Sequence, residues 1–269
     1  MAAPKILHVS FAGGGCRGIA FAKAIDAFEK KGWLADVETY SGCSIGALVA
    51  ALMAVGFTGT ELCDMVMGSD LHDVCNINLM SLFANWGLDV GQKLEHFIDA
   101  KLNQKLNKGR PLTMLDLPTL TTVATNLNEA LPLYCNATTT PTLRVSRAVH
   151  MSMCLPPLFS PVSYEGKLYI DGGLVDNLPI VHDPRTTLAF QLVWKNAFTL
   201  TTIDSYFSRC IYVGLYRLSL SKQGLDQCHV CRIDGGDVAT LNMRLRPETK
   251  KSLFANAAAA AEETVARWG

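Results

Sequence analysis

Over the first part of the chain, the pattern of hydrophobic and polar positions switches between one typical of strands and one typical of helices. Residues 5–12 are β-branched and apolar and end in a glycine cluster, which is typical of a buried strand entering a tight loop. Residues 19–31 carry apolar side chains at helical spacing. A second strand is predicted at 37–40, and a strongly apolar helix at 47–55. Strand, helix, strand, helix in this order predicts a parallel α/β sheet.

The remaining pattern adds strands and helices around one irregular stretch. Residues 58–110 are helical in character but have no clear period. Further strands are predicted at 119–127, 131–136, 167–170, 187–194 and 229–233, and further helices at 144–153, 202–220 and 249–268. No repeat, low-complexity linker or charge block divides the chain, so residues 1–269 are predicted to form one domain.

Composition narrows the partners that we expect. The 269 residues are 49% hydrophobic and 18% charged, and 24 Lys and Arg balance 24 Asp and Glu. A neutral chain has no net field to attract nucleic acid or an anionic membrane, so no nucleic-acid partner is expected and contact with a lipid surface would be mainly apolar. No uncharged apolar run reaches the roughly 18 residues that a membrane-spanning helix needs.

Cysteine usage indicates a compartment and a candidate metal site. The N-terminus lacks the residue order of a signal peptide, and the nine cysteines are scattered, so we expect reduced thiols and a cytoplasmic location. Cys228 and Cys231 have the spacing of half a zinc site, but no second pair accompanies them, which favours ordinary strand cysteines. Because no calcium loop or H-E-x-x-H motif is present either, we expect no metal and no cofactor.

The segment Gly42–Gly46 (GCSIG) fits the pattern G-x-S-x-G. In this pattern the central serine lies on a sharp strand-to-helix turn that exposes its hydroxyl, and the flanking glycines remove side chains that would collide there. The helix that follows directs its N-terminal N–H groups at the same point, which favours a developing anion. The pattern makes Ser44 a candidate nucleophile, while the alternative is an ordinary capping serine.

The segment Gly13–Gly18 (GGGCRG) also lies between a predicted strand and a predicted helix. Successive glycine N–H groups can converge on one oxygen, as an oxyanion hole requires. The same segment contains G-x-G-x-x-G, and Asp36 and Glu38 follow at about the distance of a dinucleotide-binding fold. Three interpretations of this loop are therefore compatible with the sequence: an oxyanion hole, a nucleotide site and a turn that binds no ligand.

Asp171 follows a short predicted strand and precedes Gly172 and Gly173. An aspartate at a strand end can project into a cleft and accept a proton from a serine hydroxyl as a general base. A plain β-turn aspartate is the structural alternative.

Together these segments resemble the patatin-like phospholipases. The glycine loop matches the family's G-G-G-x-R/K-G, the serine segment its G-x-S-x-G, and 171–173 its D-G-G/A. The stretch from Arg147 to Pro161 is similar to the family's S-x-x-x-P-x-x-F-x-P approach, and 174–179 to its GLVNNLP run, with Asp176 in place of the first Asn. The resemblance covers residues 6–195 and leaves a C-terminal part, 196–269, which is expected to be helical.

The resemblance implies a three-layer α/β/α fold with a mostly parallel central sheet. It implies a phospholipase A-type lipid acyl hydrolase without a catalytic histidine, whose substrate is a phospholipid or an acylglycerol and whose contact with membranes or lipid droplets is peripheral. By position, Ser44 is the nucleophile and Asp171 the base, with Gly14, Gly15 and Arg17 at the oxyanion hole. The remaining motif glycines are Gly13, Gly18, Gly42, Gly46, Gly172 and Gly173.

Other functions are compatible with parts of this pattern. His182 or His229 could complete a Ser–Asp–His triad in the chain order of an α/β-hydrolase esterase, although Ser44 comes early for that fold. The Gly13–Gly18 loop could instead serve a nucleotide-binding module, and a lipid-binding protein without activity is a third alternative.

Two apolar stretches are candidates for lipid contact. Residues 79–86 (LMSLFANW) could form a lid or membrane-contact surface, with Trp86 nearest the bilayer, or could pack in the core, which the pattern favours. Residues 198–220 mix aromatic residues with Arg209 and Arg217, and here too core packing is favoured.

Overall fold

The computed structural model describes residues 4–194, 203–238 and 242–268. Within them the strands are β1 (His8–Phe11), β2 (Thr39–Cys43), β3 (Leu120–Asn126), β4 (Leu131–Cys135), β5 (Val162–Tyr164), β6 (Lys167–Asp171), β7 (Thr187–Val193) and β8 (His229–Asp234). The helices are α1 (Ala20–Lys30), α2 (Ile45–Ala54), α3 (Gly59–Gly68), α4 (Leu79–Asn85), α5 (Gln92–Leu106), α6 (Val145–Met153), α7 (Gly173–Asp176), α8 (Ile203–Leu220) and α9 (Pro247–Trp268).

One eight-stranded sheet organises these elements, in the order β5-β6-β3-β2-β1-β7-β8, with β4 also paired to β3. The strands β3, β2, β1, β7 and β8 run parallel, whereas β4 and β6 are antiparallel to β3, and β5 is antiparallel to β6. The prediction of a mostly parallel sheet is confirmed.

Alternate side chains along the parallel strands belong to two different hydrophobic cores. In β7, Leu188 and Phe190 belong to a large apolar cluster that includes residues of α1, α2, α5, α6 and α9. The intervening Ala189 belongs to a small cluster on the other face, with Leu178 and Val230. Since successive strand residues point to opposite faces, the sheet is covered on both sides, which confirms the expected three layers.

The C-terminal part of the chain joins the same sheet. Strand β8 pairs in parallel with β7, and α9 packs against α1 and β8. Strand β8 confirms the strand predicted at 229–233, so the C-terminal part, expected to be helical, also contributes the edge strand of the sheet.

Several elements begin or end at residues other than those predicted. The strand predicted at 5–12 is only β1, and the strand predicted at 37–40 continues as β2 to Cys43, directly before Ser44. Strand β5 was not predicted, because three residues are too few to establish an alternating pattern. The irregular stretch 58–110 contains α3, α4 and α5.

The predicted helix 202–220 is α8, but core packing is wrong for much of it. Tyr206, Val213, Leu218 and Leu220 are exposed, and only Ser219 is buried among its described side chains. Residues 198–202 lie outside the described residues, as do the side chains of Phe207 and Tyr212. None of the described helices combines the length and apolarity needed to cross a bilayer.

Candidate active site

Ser44 lies on the turn between β2 and α2 with φ 56° and ψ −128°. A positive φ is uncommon for a non-glycine residue and indicates a strained turn. A Cβ on Gly42 would overlap the Gly46 carbonyl, and one on Gly46 would overlap the Phe11 carbonyl, so both flanking positions require glycine. The side chain of Ser44 makes no capping hydrogen bond to α2, which excludes the ordinary capping serine.

The Ser44 hydroxyl donates a hydrogen bond of 2.6 Å to Asp171 Oδ2. The sheet register explains this meeting. Thr122 pairs with both β2 and β4, and Ala124 pairs with both β4 and β6, so β2 and β6 share one edge of β3. Cys43 is level with Val123 and Asp171 with Ala124. The two strands therefore approach end to end and bring Ser44 next to Asp171.

Asp171 is held in one orientation and is almost fully buried, at 1% exposure. Its Oδ1 accepts a hydrogen bond of 2.8 Å from the Gly173 N–H, and its backbone carbonyl accepts one of 2.7 Å from Thr125. Gly172 lies so close to the Val123 carbonyl that a Cβ would overlap it. Burial raises the pKa of Asp171 to about 6, against the opposing effect of its hydrogen bonds from Ser44 and Gly173. This pKa suits a general base near neutral pH.

The glycine loop packs against the serine turn. A Cβ built on Gly13 would lie 3.1 Å from Ser44 Cβ, and one on Gly18 would overlap the Ile45 side chain. The Gly13 N–H donates to the Asn177 carbonyl at 3.0 Å. By contrast, the N–H groups of Gly14 and Gly15 meet no acceptor in the part of the chain that the structure describes. The structure thus brings the three predicted motif segments together.

Arg17 fixes the loop from its buried side. It is 1% exposed, and its Nε donates to the Gly14 carbonyl at 3.3 Å. Because a trans peptide unit is planar, with its C=O and N–H pointing in opposite directions, this bond turns the Gly15 N–H away from Arg17. The guanidinium also lies 5.1 Å from the Trp194 ring centre, in cation–π geometry.

Ser152 is a site residue that the sequence analysis missed. Its hydroxyl accepts a hydrogen bond of 2.9 Å from the Ser44 N–H, at the start of α2. It lies in α6 and is fully buried. Ser152 lies in the stretch 147–161 that resembles the family motif preceding the aspartate, and this was the only available indication. A single serine in a helix does not predict which N–H group its hydroxyl will bond.

The two histidines considered for a triad lie at the opposite end of the sheet from Ser44. His229 begins β8, and His182 stacks on His8, which begins β1, with 4.3 Å between ring centres. These are amino ends of parallel strands, whereas Ser44 follows the carboxyl end of β2, about 13 Å away along a four-residue strand. The register therefore separates both histidines from the serine. His150 instead lies 2.7 Å from Glu95 through its Nδ1.

An apolar cavity opens at Ser44. Gly15 and Ile45 border it together with Leu94, Met153 and Leu158. Ser44 and the glycine loop thus face a space whose described lining residues include no ionisable carboxylate or amine. This environment suits a reaction centre for an apolar substrate.

Beside this cavity, residues 79–86 form an exposed surface, so the favoured prediction of core packing is wrong. The exposed fractions are 66% for Leu79, 72% for Met80, 76% for Phe83 and 67% for Trp86. Ser81 is the buried residue of α4, and most of the apolar side chains of this helix are exposed to solvent.

Asp89 holds together the two ends of the segment 76–91, which contains α4. Its carboxylate accepts hydrogen bonds from the N–H groups of Asn76 and Gly91, and the Asn78 N–H donates to the Leu88 carbonyl at 2.8 Å. Asp89 also bridges to Phe159, which lines the Ser44 cavity. The exposed helix is therefore fixed beside the cavity.

The structure gives no support to a zinc site at the CxxC segment. Cys228 belongs to the small core and Cys231 to the large one, so their thiols lie on opposite faces of the sheet. Among the described residues no group of three or more His, Cys, Asp or Glu side chains is placed to hold a metal ion.

Comparison with known proteins places this site in a family. The family described as Patatin-like phospholipase matches residues 9–182, which include Ser44, Asp171 and the glycine loop. Protein R571 of Acanthamoeba polyphaga mimivirus, whose function is uncharacterised, is 27% identical over 93% of this chain and 90% of its own length. Protein 463L of invertebrate iridescent virus 6, named a probable lipid hydrolase, is 24% identical over 62% of this chain and 60% of its own.

Two solved structures share the fold. VipD of Legionella pneumophila superposes with a TM-score of 0.65 at 19% identity, covering 99% of this chain and 68% of VipD. The type III effector ExoU gives a TM-score of 0.60 at 20% identity, covering 99% of this chain and 54% of ExoU. At these identities the likeness concerns the fold alone.

Proposed function

Since the chain belongs to the patatin-like phospholipase family, a lipid hydrolase family, we propose that it cleaves fatty acyl esters of phospholipids or acylglycerols, as a phospholipase A-type enzyme. The observation that carries this proposal is the 2.6 Å hydrogen bond from Ser44 to a buried Asp171. The pKa of about 6 keeps this aspartate ionised at neutral pH, so it can accept the serine proton.

The proposed reaction has two halves. Asp171 takes the proton of the Ser44 hydroxyl while the oxygen attacks the ester carbonyl, and the tetrahedral intermediate breaks its bond to the alcohol, which leaves with that proton. Water then attacks the acyl-serine and gives its proton to Asp171. The intermediate releases the fatty acid and Ser44 regains its proton. Asp171 thus serves as base and acid in turn, and no histidine takes part.

Gly14 and Gly15 are the proposed donors to the negatively charged oxygen of the tetrahedral intermediate. Their N–H groups lie in a loop packed against Ser44, and Arg17 sets the orientation of the peptide unit between them. Losing one donor of this kind typically raises the barrier by about 2.7–4 kcal/mol. The positive end of α2 adds to the same stabilisation.

We place the contact with a lipid surface at α4. Its exposed Leu79, Met80, Phe83 and Trp86 form an apolar surface next to the Ser44 cavity. The segment 76–88 contains no charged residue, so attraction to anionic headgroups is not expected and apolar insertion is. Peripheral contact of this kind would let a cytoplasmic enzyme take its substrate directly from a bilayer or lipid droplet.

A fluorophosphonate probe tests the proposed nucleophile. Wild type and a matched surface variant, Ser221→Ala, should be labelled, with the label mapped to Ser44 by mass spectrometry, and Ser44→Ala should not be. Ester hydrolysis should be lost in the same variant. Label on another residue, or hydrolysis that survives in Ser44→Ala, would overturn the proposal. Retention of NAD or ATP by an unlabelled protein would favour the nucleotide-binding alternative.

A further inference from the structure

A second apolar cavity lies in the helical layer next to the Ser44 cavity. Both cavities are bordered by Cys16, Ile45, Val74 and Met243. Ile45 is the residue directly after the nucleophile. None of these four shared residues carries a charge, so the two cavities adjoin at uncharged side chains.

One face of α2 forms the wall of this second cavity. Ile45, Leu48, Val49 and Leu52 all border it, at the spacing i, i+3, i+4 and i+7 that places side chains on one helical stripe. From Ile45 to Leu52 the helix rises about 10 Å. The lining residues thus mark increasing distance from the nucleophile.

One part of the cavity border is polar. Lys250 pairs with Asp70 at 2.9 Å, and its ammonium donates to the carbonyls of Val66 and Ser69, also at 2.9 Å. These partners take up the hydrogen-bonding capacity of the buried ammonium, and a hydrocarbon gains nothing by displacing them. A hydrocarbon chain is therefore expected along the uncharged α2 side of the cavity and not at this ion pair.

We propose that the second cavity binds the acyl chain of the substrate and that the α2 stripe sets the chain length accepted. This inference rests on the proposed function and names the substrate class, a long-chain acyl ester. An acyl carbonyl at Ser44 directs its hydrocarbon chain past Ile45 and along Leu48 to Leu52, where each buried methylene adds favourable transfer free energy. The α2 side of the cavity carries no charge, so the chain needs no polar partner there.

Chain-length profiles test the assignment. We compare kcat/KM for nitrophenyl butyrate, decanoate and palmitate. Leu48→Phe, near the nucleophile, should lower the decanoate-to-butyrate ratio by roughly tenfold or more, because a filled pocket rejects extra methylenes. Leu52→Phe should lower the palmitate-to-decanoate ratio instead. The control Met53→Phe lies in the same helix and is as buried as Leu48, but it does not border the cavity, so both ratios should stay as in wild type.

Binding of palmitate to Ser44→Ala protein, measured by calorimetry, provides a readout without hydrolysis. Adding Leu48→Phe should weaken this binding, and adding Met53→Phe should not. Unchanged ratios and unchanged binding with Leu48→Phe, or equal losses with Met53→Phe, would overturn the cavity assignment. If wild type cleaved none of the three esters, the proposed function would fail, while the calorimetry would still decide whether the cavity holds an acyl chain.

Discussion

Replacing Asp171 by Asn should stabilise the protein while it removes activity. The carboxylate is buried, and its pKa is raised from 3.8 to about 6, so the folded state disfavours the charge that the side chain carries at neutral pH. Asn has the same shape and no charge. Its amide oxygen can accept from the Gly173 N–H, and its amino group can donate to the Ser44 hydroxyl.

The size and sign of the effect follow from linkage. Asp171 binds its proton more tightly in the folded protein than in the unfolded chain. Its stabilising contribution to the free energy of unfolding is therefore complete below pH 3.8 and is lost as the pH rises to about 6. The difference in pKa corresponds to about 3 kcal/mol. Asp171→Asn should therefore raise the free energy of unfolding by about 1–3 kcal/mol near pH 8, with the upper value an ideal limit. Near pH 4 the gain should fall below about 1 kcal/mol.

Urea unfolding of both proteins at the two pH values measures this gain. All other titrating groups are common to both, so the difference isolates residue 171. Asp64→Asn, at an exposed position in α3, is the control and should change stability by less than about 0.5 kcal/mol. A gain that is absent near pH 8, or equal at both pH values, would refute the reasoning. Ester hydrolysis by Asp171→Asn should be lost throughout.

Three further outcomes are expected. Wild-type kcat/KM should rise with pH through about 6 as Asp171 loses its proton, and full activity well below that pH would contradict its role as base. His182→Ala and His229→Ala should retain most ester hydrolysis, and an inactive but folded variant of either would exclude the dyad. Phe83→Ser should weaken binding to phosphatidylcholine vesicles severalfold in a sedimentation assay, while Leu115→Ser, at a similarly exposed position, should not, and equal effects would remove α4 from the lipid contact.

The sequence predicted the elements on which the site depends because each has a local cause. Glycine at 42 is required by its contact with the Gly46 carbonyl within the strand-to-helix turn, and that requirement is visible in the pattern itself. Glycine at 46 is required by the Phe11 carbonyl of the neighbouring strand β1. The apolar run of β7 and the helical period of α1 are also local, so both were predicted near their observed limits. The solvent exposure of apolar side chains was less predictable. The sequence of α4 is similar to that of a core helix, and only the positions of the neighbouring elements decide which apolar side chains are buried.

The sequence by itself determined that Ser44 lies on a tight turn, that Asp171 ends a strand, and that a glycine loop precedes a helix. Their meeting was decided by tertiary structure, because β2 and β6 approach end to end on one edge of β3, from positions 127 residues apart in the chain. The raised pKa of Asp171 comes from burial among elements distant in sequence. The separation of His182 and His229 from Ser44 likewise follows from the parallel register, which puts strand beginnings and strand ends on opposite sides of the sheet.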